Sequence, residues 1–122
     1  MTVLIVDDDA AIRLLCRVNL ELEGHRVLEA AYLGQARTVL AEERVDVVLL
    51  DLHLGNERGV DLLRELRSDR PEVAVALLTG SAQERFPIEE AKADAVISKP
   101  FEIEELGRTV RRLAERSLRA RV

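Results

Sequence analysis

The sequence reads as an α/β domain built on a doubly wound, five-stranded parallel sheet. Three observations lead there. Five short apolar runs alternate with segments of helical spacing, in the order strand then helix, five times over. The runs show no polar alternation, which fits strands covered on both faces by helices. Connections are short throughout, so successive elements are neighbours joined by right-handed crossovers.

Val3-Leu4-Ile5-Val6 is the first strand and ends in Asp7-Asp8-Asp9. From Ala10 the spacing turns helical, with Ile12, Leu15, Cys16 and Leu20 on the inward stripe, Arg13, Arg17 and Glu21 off it, and Asp9 as the cap. Gly24 stops that helix, and His25 to Ala30 reads as a short strand near a sheet edge. Leu33, Ala36, Val39 and Leu40 form the next helical stripe. Val47-Val48-Leu49-Leu50 is a buried strand that stops abruptly at Asp51. A loop over 52–58 leads through Gly59 into a helix carrying Val60, Leu63 and Leu66, which Pro71 closes off. Val73 to Leu78 is the fourth strand and ends in Thr79-Gly80-Ser81. A weak helix over 82–92, interrupted by Pro87, precedes the fifth strand, Ala95 to Ser98, which runs into Lys99-Pro100-Phe101. The last helix spans about 102–119, with Ile103, Leu106, Val110, Leu113 and Leu118 inward.

Length and composition narrow the function. The 122 residues make one domain, 1–122, with no output domain expected. A single cysteine, Cys16, excludes an internal disulfide and reads as core packing. No leader opens the sequence and no apolar run approaches a membrane span, so a cytoplasmic, membrane-free protein is expected. A net charge of −5 argues against direct nucleic-acid binding. The basic exception, six Arg against four Glu from Glu102 onward, matches a helix with acids first and bases last, complementing its dipole, or else a docking surface for an acidic partner.

In a parallel sheet all carboxyl strand ends share one edge, so Asp7, Asp8, Asp51, Thr79 and Lys99 are expected to converge. Crowded carboxylates without His or Cys suit Mg²⁺. A carboxylate can act as a nucleophile toward phosphorus, with a cation and a lysine neutralising the phosphoryl group and a hydroxyl hydrogen-bonding it. Plainer readings exist for each residue: Asp51 as a turn residue, Asp7-Asp8 as helix caps, Lys99 as a surface lysine.

Leu4-Ile5-Val6-Asp7-Asp8-Asp9, Val48-Leu49-Leu50-Asp51-Leu52, Leu78-Thr79-Gly80 and Ser98-Lys99-Pro100-Phe101 together make the sequence resemble a response regulator receiver domain of two-component signal transduction, over essentially its whole length. The resemblance implies a flavodoxin-like fold with strand order 2-1-3-4-5. It makes Asp51 the phosphoacceptor and Asp8 and Asp51 direct Mg²⁺ ligands with the backbone carbonyl of His53. Asp7 would act mainly through water, Thr79 and Lys99 would contact the phosphoryl group, and the Lys99–Pro100 peptide would be cis. The donor would be a sensor histidine kinase or phosphotransfer protein, and the output a protein partner that reads a conformational switch. Enzymatic action would be confined to self-phosphorylation and self-dephosphorylation on Asp51.

Departures from the family pattern fall mainly on output. Leu54-Gly55 stands where a Met-Pro pair is usual, which implies a looser loop; Lys92 replaces a common Gly; and the Thr79-to-Lys99 spacing is short. Val96 replaces the usual aromatic residue of the fifth strand. It lies on the face, made by the fourth helix, fifth strand and fifth helix, through which the family dimerises or docks partners. An alternative is therefore a receiver-fold interaction module that works without phosphorylation. A metal-dependent small-molecule phosphatase would need a further acid and a capping insertion, and nucleotide or flavin binding a Gly-rich turn; neither pattern is seen. His25 reads as strand-edge surface, His53 as a loop histidine beside the acceptor, and Tyr32 as structural.

Overall fold

A computed structural model describes residues 1–80 and 92–121. In chain order the elements are β1 (Thr2–Val6), α1 (Ala10–Leu22), β2 (Arg26–Ala30), α2 (Leu33–Glu42), β3 (Val47–Asp51), β4 (His53–Leu54), β5 (Glu57–Arg58), α3 (Gly59–Asp69), β6 (Ala74–Thr79), β7 (Ala95–Ser98) and α4 (Ile103–Arg121). The main sheet is parallel, in the order β2-β1-β3-β6-β7, which is 2-1-3-4-5 counted over its own five strands. The doubly wound architecture follows the sequence expectation. The helix expected over 82–92 falls on residues that, but for Lys92, lie outside the described ones.

Because side chains alternate across a strand, the unalternating apolar runs feed two cores, one on each face. Leu4, Val6, Val48, Leu50, Val75 and Leu77 pack against α2 and α3, while Val3, Ile5, Val47, Leu49, Ala76, Leu78 and Ile97 pack against α1 and α4. Each fully buried Leu or Ile contributes roughly 2 kcal/mol, so β1 and β3, buried along their apolar runs, anchor the fold. Their carboxyl ends are correspondingly rigid.

Several local expectations change. The 52–58 stretch is not a plain loop: β4 and β5 form a small antiparallel hairpin, His53 opposite Arg58 and Leu54 opposite Glu57. Gly55 turns it in the left-handed region at φ 61°, where a residue without Cβ is unstrained. The turn is also tied to the site, since the Gly55 amide donates to Asp8 Oδ2 at 3.2 Å. On α1, Cys16 and Leu20 are buried as expected, but Leu15 is 41% exposed and joins Leu14, Val18 and Leu22 on the solvent side. On α4, Leu118 faces out and Ser117 is buried in its place, its hydroxyl donating to the Glu72 carbonyl at 3.0 Å. The angular position one residue earlier is the one that points at the sheet. His25 is more shielded than a strand-edge surface residue: both ring nitrogens are buried without a hydrogen-bond partner among the described residues, and burial pulls its pKa down.

Opposite the carboxyl edge, Asp94 ties three elements together. Its Oδ2 accepts from the Val75 amide at 2.7 Å and from Arg67 at 2.5 Å, and its Oδ1 faces Arg116 at 3.1 Å. This clasp holds β7 in register beside β6, Thr79 opposite Ser98, and so sets where Lys99 begins.

Candidate functional site: an acidic cluster at the carboxyl edge of the sheet

The sheet order reverses between β1 and β3, and the ends of these strands flank the crevice where ligands bind in such sheets. Asp7 and Asp8 follow β1, and Asp51 closes β3. Their carboxylates converge, with one oxygen from each lying within 4.8 Å of the others. Asp8 is exposed, Asp51 nearly buried and Asp7 wholly buried.

Burial of Asp7 is matched by partners on every polar group. Its amide donates to Ala30 O at 3.1 Å and its carbonyl accepts from Arg13 Nη1 at 2.7 Å. Oδ1 accepts from the Asp9 amide at 2.9 Å, and Oδ2 takes Lys99 Nζ at 2.7 Å. Asp9 caps α1, accepting from the Ala11 and Ile12 amides, as its sequence position predicts. Asp51 Oδ1 accepts from the His53 amide at 3.1 Å, and Oδ2 stands 3.4 Å from Lys99 Nζ.

Lys99 arrives by way of β7. Its amide donates to the Thr79 carbonyl at 2.7 Å, and the Lys99–Pro100 peptide is cis, as the family pattern implies. Thr79 is buried at the carboxyl end of β6, one residue beyond Leu78, which pairs with Asp51. His53 lies on β4 with its side chain exposed. The structure therefore brings Asp7, Asp8, Asp51 and Lys99 into one cluster and places Thr79 and His53 at the same edge.

Electrostatics follow from this packing. Burial raises the Asp51 pKa above its ordinary value and the neighbouring Asp7 charge adds to it; the His53 amide and Lys99 oppose without cancelling. For Lys99, burial disfavours the charge, but the hydrogen bond to Asp7 and the Asp51 charge outweigh it and raise the pKa. Two unlike charges are thus held in reach of each other beside an exposed acid. Oxygen donors of this kind, without His or Cys, fit a hard divalent cation such as Mg²⁺.

Two residues that support the site did not stand out in the sequence. A Cβ built on Gly59 would sit 2.1 Å from the Asp51 carbonyl oxygen, so only glycine lets α3 start this close to the acid-bearing strand. Arg13, off the apolar stripe, reaches back to the Asp7 carbonyl. The signal for Gly59 was its place at a helix start after the 52–58 stretch; Arg13 carried none beyond its charge.

Fold and site together define a parallel α/β domain whose acids and lysine meet at the topological switch. The chain belongs to the response regulator receiver domain family, whose model matches residues 3–111. Phosphate regulon transcriptional regulatory protein PhoB of Pseudomonas aeruginosa is 38% identical over 109 residues, covering 86% of this chain and 48% of that protein. Transcriptional regulatory protein PhoP of Escherichia coli is 34% identical over 119 residues, covering 96% of this chain and 53% of that protein. This chain thus spans about half the length of the curated relatives it matches. A CheY-like receiver domain protein from Methanospirillum hungatei has a TM-score of 0.90 at 30% identity, covering 98% of this chain and 97% of its own. The signal receiver domain of an HD domain-containing protein from Pseudomonas fluorescens has a TM-score of 0.91 at 27% identity, covering 98% and 90%. No helix among the described residues is long and apolar enough to cross a membrane.

Proposed function

We propose that this receiver domain takes a phosphoryl group onto Asp51 from a phosphohistidine of a sensor kinase or phosphotransfer protein, and that a protein partner reads the resulting state. The observation that carries the proposal is the Lys99 ammonium between Asp7 and Asp51, beside the exposed Asp8. An Asp51 carboxylate oxygen attacks phosphorus, the P–N bond breaks, and the imidazole leaves with the bonding pair. Lys99, already paired with both acids, neutralises charge that moves onto the phosphoryl oxygens, and the Thr79 hydroxyl hydrogen-bonds one of them. Asp8 and Asp51, with the His53 carbonyl, would hold Mg²⁺ directly and Asp7 would act through water; the cation supplies further neutralisation of the phosphate. The same groups serve the reverse demand, letting water attack the aspartyl phosphate.

A protein donor is favoured by α1. Its solvent side carries Leu14, Leu15, Val18 and Leu22, an apolar face that begins one turn from the acidic edge. Such a face suits a helical protein surface rather than a small phosphate ester. For output, Val96 is 45% exposed on β7 and offers a small aliphatic surface where the family usually has an aromatic residue.

Incubation with Mg²⁺ and a small acyl phosphate, followed by intact mass, tests the central step. One added phosphoryl mass is expected on the wild type and none on Asp51→Asn. No gain on the wild type, or an equal gain on the variant, overturns it.

A further inference from the structure

We infer that Arg13 is a positioning residue for the cation site: anchored by Glu29, it fixes the Asp7–Asp8 peptide and so aims Asp8. The inference rests on the reading of Asp8 as a Mg²⁺ ligand and adds what holds that ligand in place. Arg13 stands in the first turn of α1 with its side chain largely buried, 19% exposed. Nε donates to Glu29 Oε1 at 3.0 Å while Nη1 donates to the Asp7 carbonyl at 2.7 Å. Glu29, on β2, is itself held by Arg17 Nε at 2.6 Å on its other oxygen. One guanidinium therefore links β2 to the segment that follows β1.

The Asp7 side chain has its own anchors in Lys99 and the Asp9 amide, so it does not depend on Arg13. Asp8 does. It is exposed, and its carboxylate accepts the Gly55 amide at a long 3.2 Å. The Asp7 carbonyl lies in the planar unit that ends at the Asp8 Cα, so gripping that oxygen fixes the plane from which Asp8 departs and leaves only rotation about its own bonds.

The sign of the effect separates positioning from simple charge. Arg13 is a cation near an acidic cluster, and by Coulomb's law its removal would strengthen Mg²⁺ binding. Positioning has the opposite consequence. Loss of an outer partner of a metal ligand weakens metal affinity by about 10- to 100-fold.

Titration of Mg²⁺ into the labelled protein, followed through the Gly55 and Asp9 amide resonances, measures affinity without any turnover. Arg13→Gln is expected to weaken binding about 10-fold or more. Arg13→Lys is expected to do nearly the same, because one ammonium cannot span Glu29 and the Asp7 carbonyl. Unchanged or tighter binding in Arg13→Gln, or full rescue by lysine, overturns the inference while leaving the Mg²⁺ site intact. If Arg13→Gln does not fold, the charge-conserving Arg13→Lys decides, and wild-type affinity there overturns it. Absence of Mg²⁺ binding by the wild type would overturn both the site and its positioning.

Discussion

Lys99 Nζ lies 2.7 Å from Asp7 Oδ2 and 3.4 Å from Asp51 Oδ2, so the lysine is docked on the acid that is wholly buried and leans toward the proposed phosphoacceptor. This division matters chemically. Asp7 keeps Lys99 in place, and Asp51 is left with the longer contact to the same ammonium.

Removing the ammonium should therefore cost stability as well as activity. Lys99→Met leaves the Asp7 carboxylate buried without its counter-charge, and breaking such a pair costs about 3 kcal/mol. Urea denaturation at neutral pH is expected to show this loss. Added Mg²⁺ should recover part of it by supplying positive charge to the same cluster.

Asp51 should show the reverse. Its folded pKa stands above the unfolded value near 3.8, chiefly through burial, so the native state binds more protons than the unfolded one between those two pKa values. Stability contributed by this group accordingly falls as pH rises through the folded pKa. Asp51→Asn is expected to be more stable than wild type at pH 7 without divalent cations, with the difference closing at pH values below the unfolded pKa. Mg²⁺ should reverse the order at pH 7, since the proposed site would hold it on the wild-type carboxylate. Chemical denaturation at the two pH values, with and without Mg²⁺, checks each sign.

Gly59→Ala should damage the site from behind. Its Cβ would meet the Asp51 carbonyl at 2.1 Å, so the start of α3 or the end of β3 must move. An overpacked contact of this kind costs about 1–3 kcal/mol. The expected outcome is that loss of stability together with slower phosphorylation from a small acyl phosphate. Gly55→Ala, where nothing lies within 4 Å of the added Cβ, should cost only the roughly 1–2 kcal/mol of a left-handed alanine.

On α1, Val18→Glu places a charge in the middle of the exposed apolar face while leaving the core side of the helix alone. Phosphotransfer from the phosphohistidine protein should fall by about 10-fold or more, the cost of spoiling a central contact. Phosphorylation by a small acyl phosphate should be unchanged. Equal loss with both donors would place the effect in the site instead of the docking face.

The amino-acid order alone determined the architecture and which strand-end residues share the carboxyl edge. Runs such as Val3 to Val6 and Val47 to Leu50 are apolar at successive positions, which fits a strand covered on both faces, and each ends in an acid. Strand ends in a parallel sheet share an edge, so residues as distant as Asp7 and Lys99 could be assigned to one place from spacing and topology. Lys92, standing where the family has a common Gly, adopts φ 60°, the conformation a glycine would take without strain.

Only the tertiary structure decided how those residues are held. That the hairpin of β4 and β5 closes on Asp8 through Gly55, that Ser117 and not Leu118 faces the core, and that Arg13 grips the Asp7 carbonyl are all contacts between elements. Hydrophobic periodicity reports which side of a helix is buried to within about a residue; it carries no information on which polar atom a long side chain will reach. Arg13 reads in sequence as one more surface charge. Its role depends on a carbonyl six residues earlier and a glutamate on the next strand, and both come within reach only once the sheet has formed.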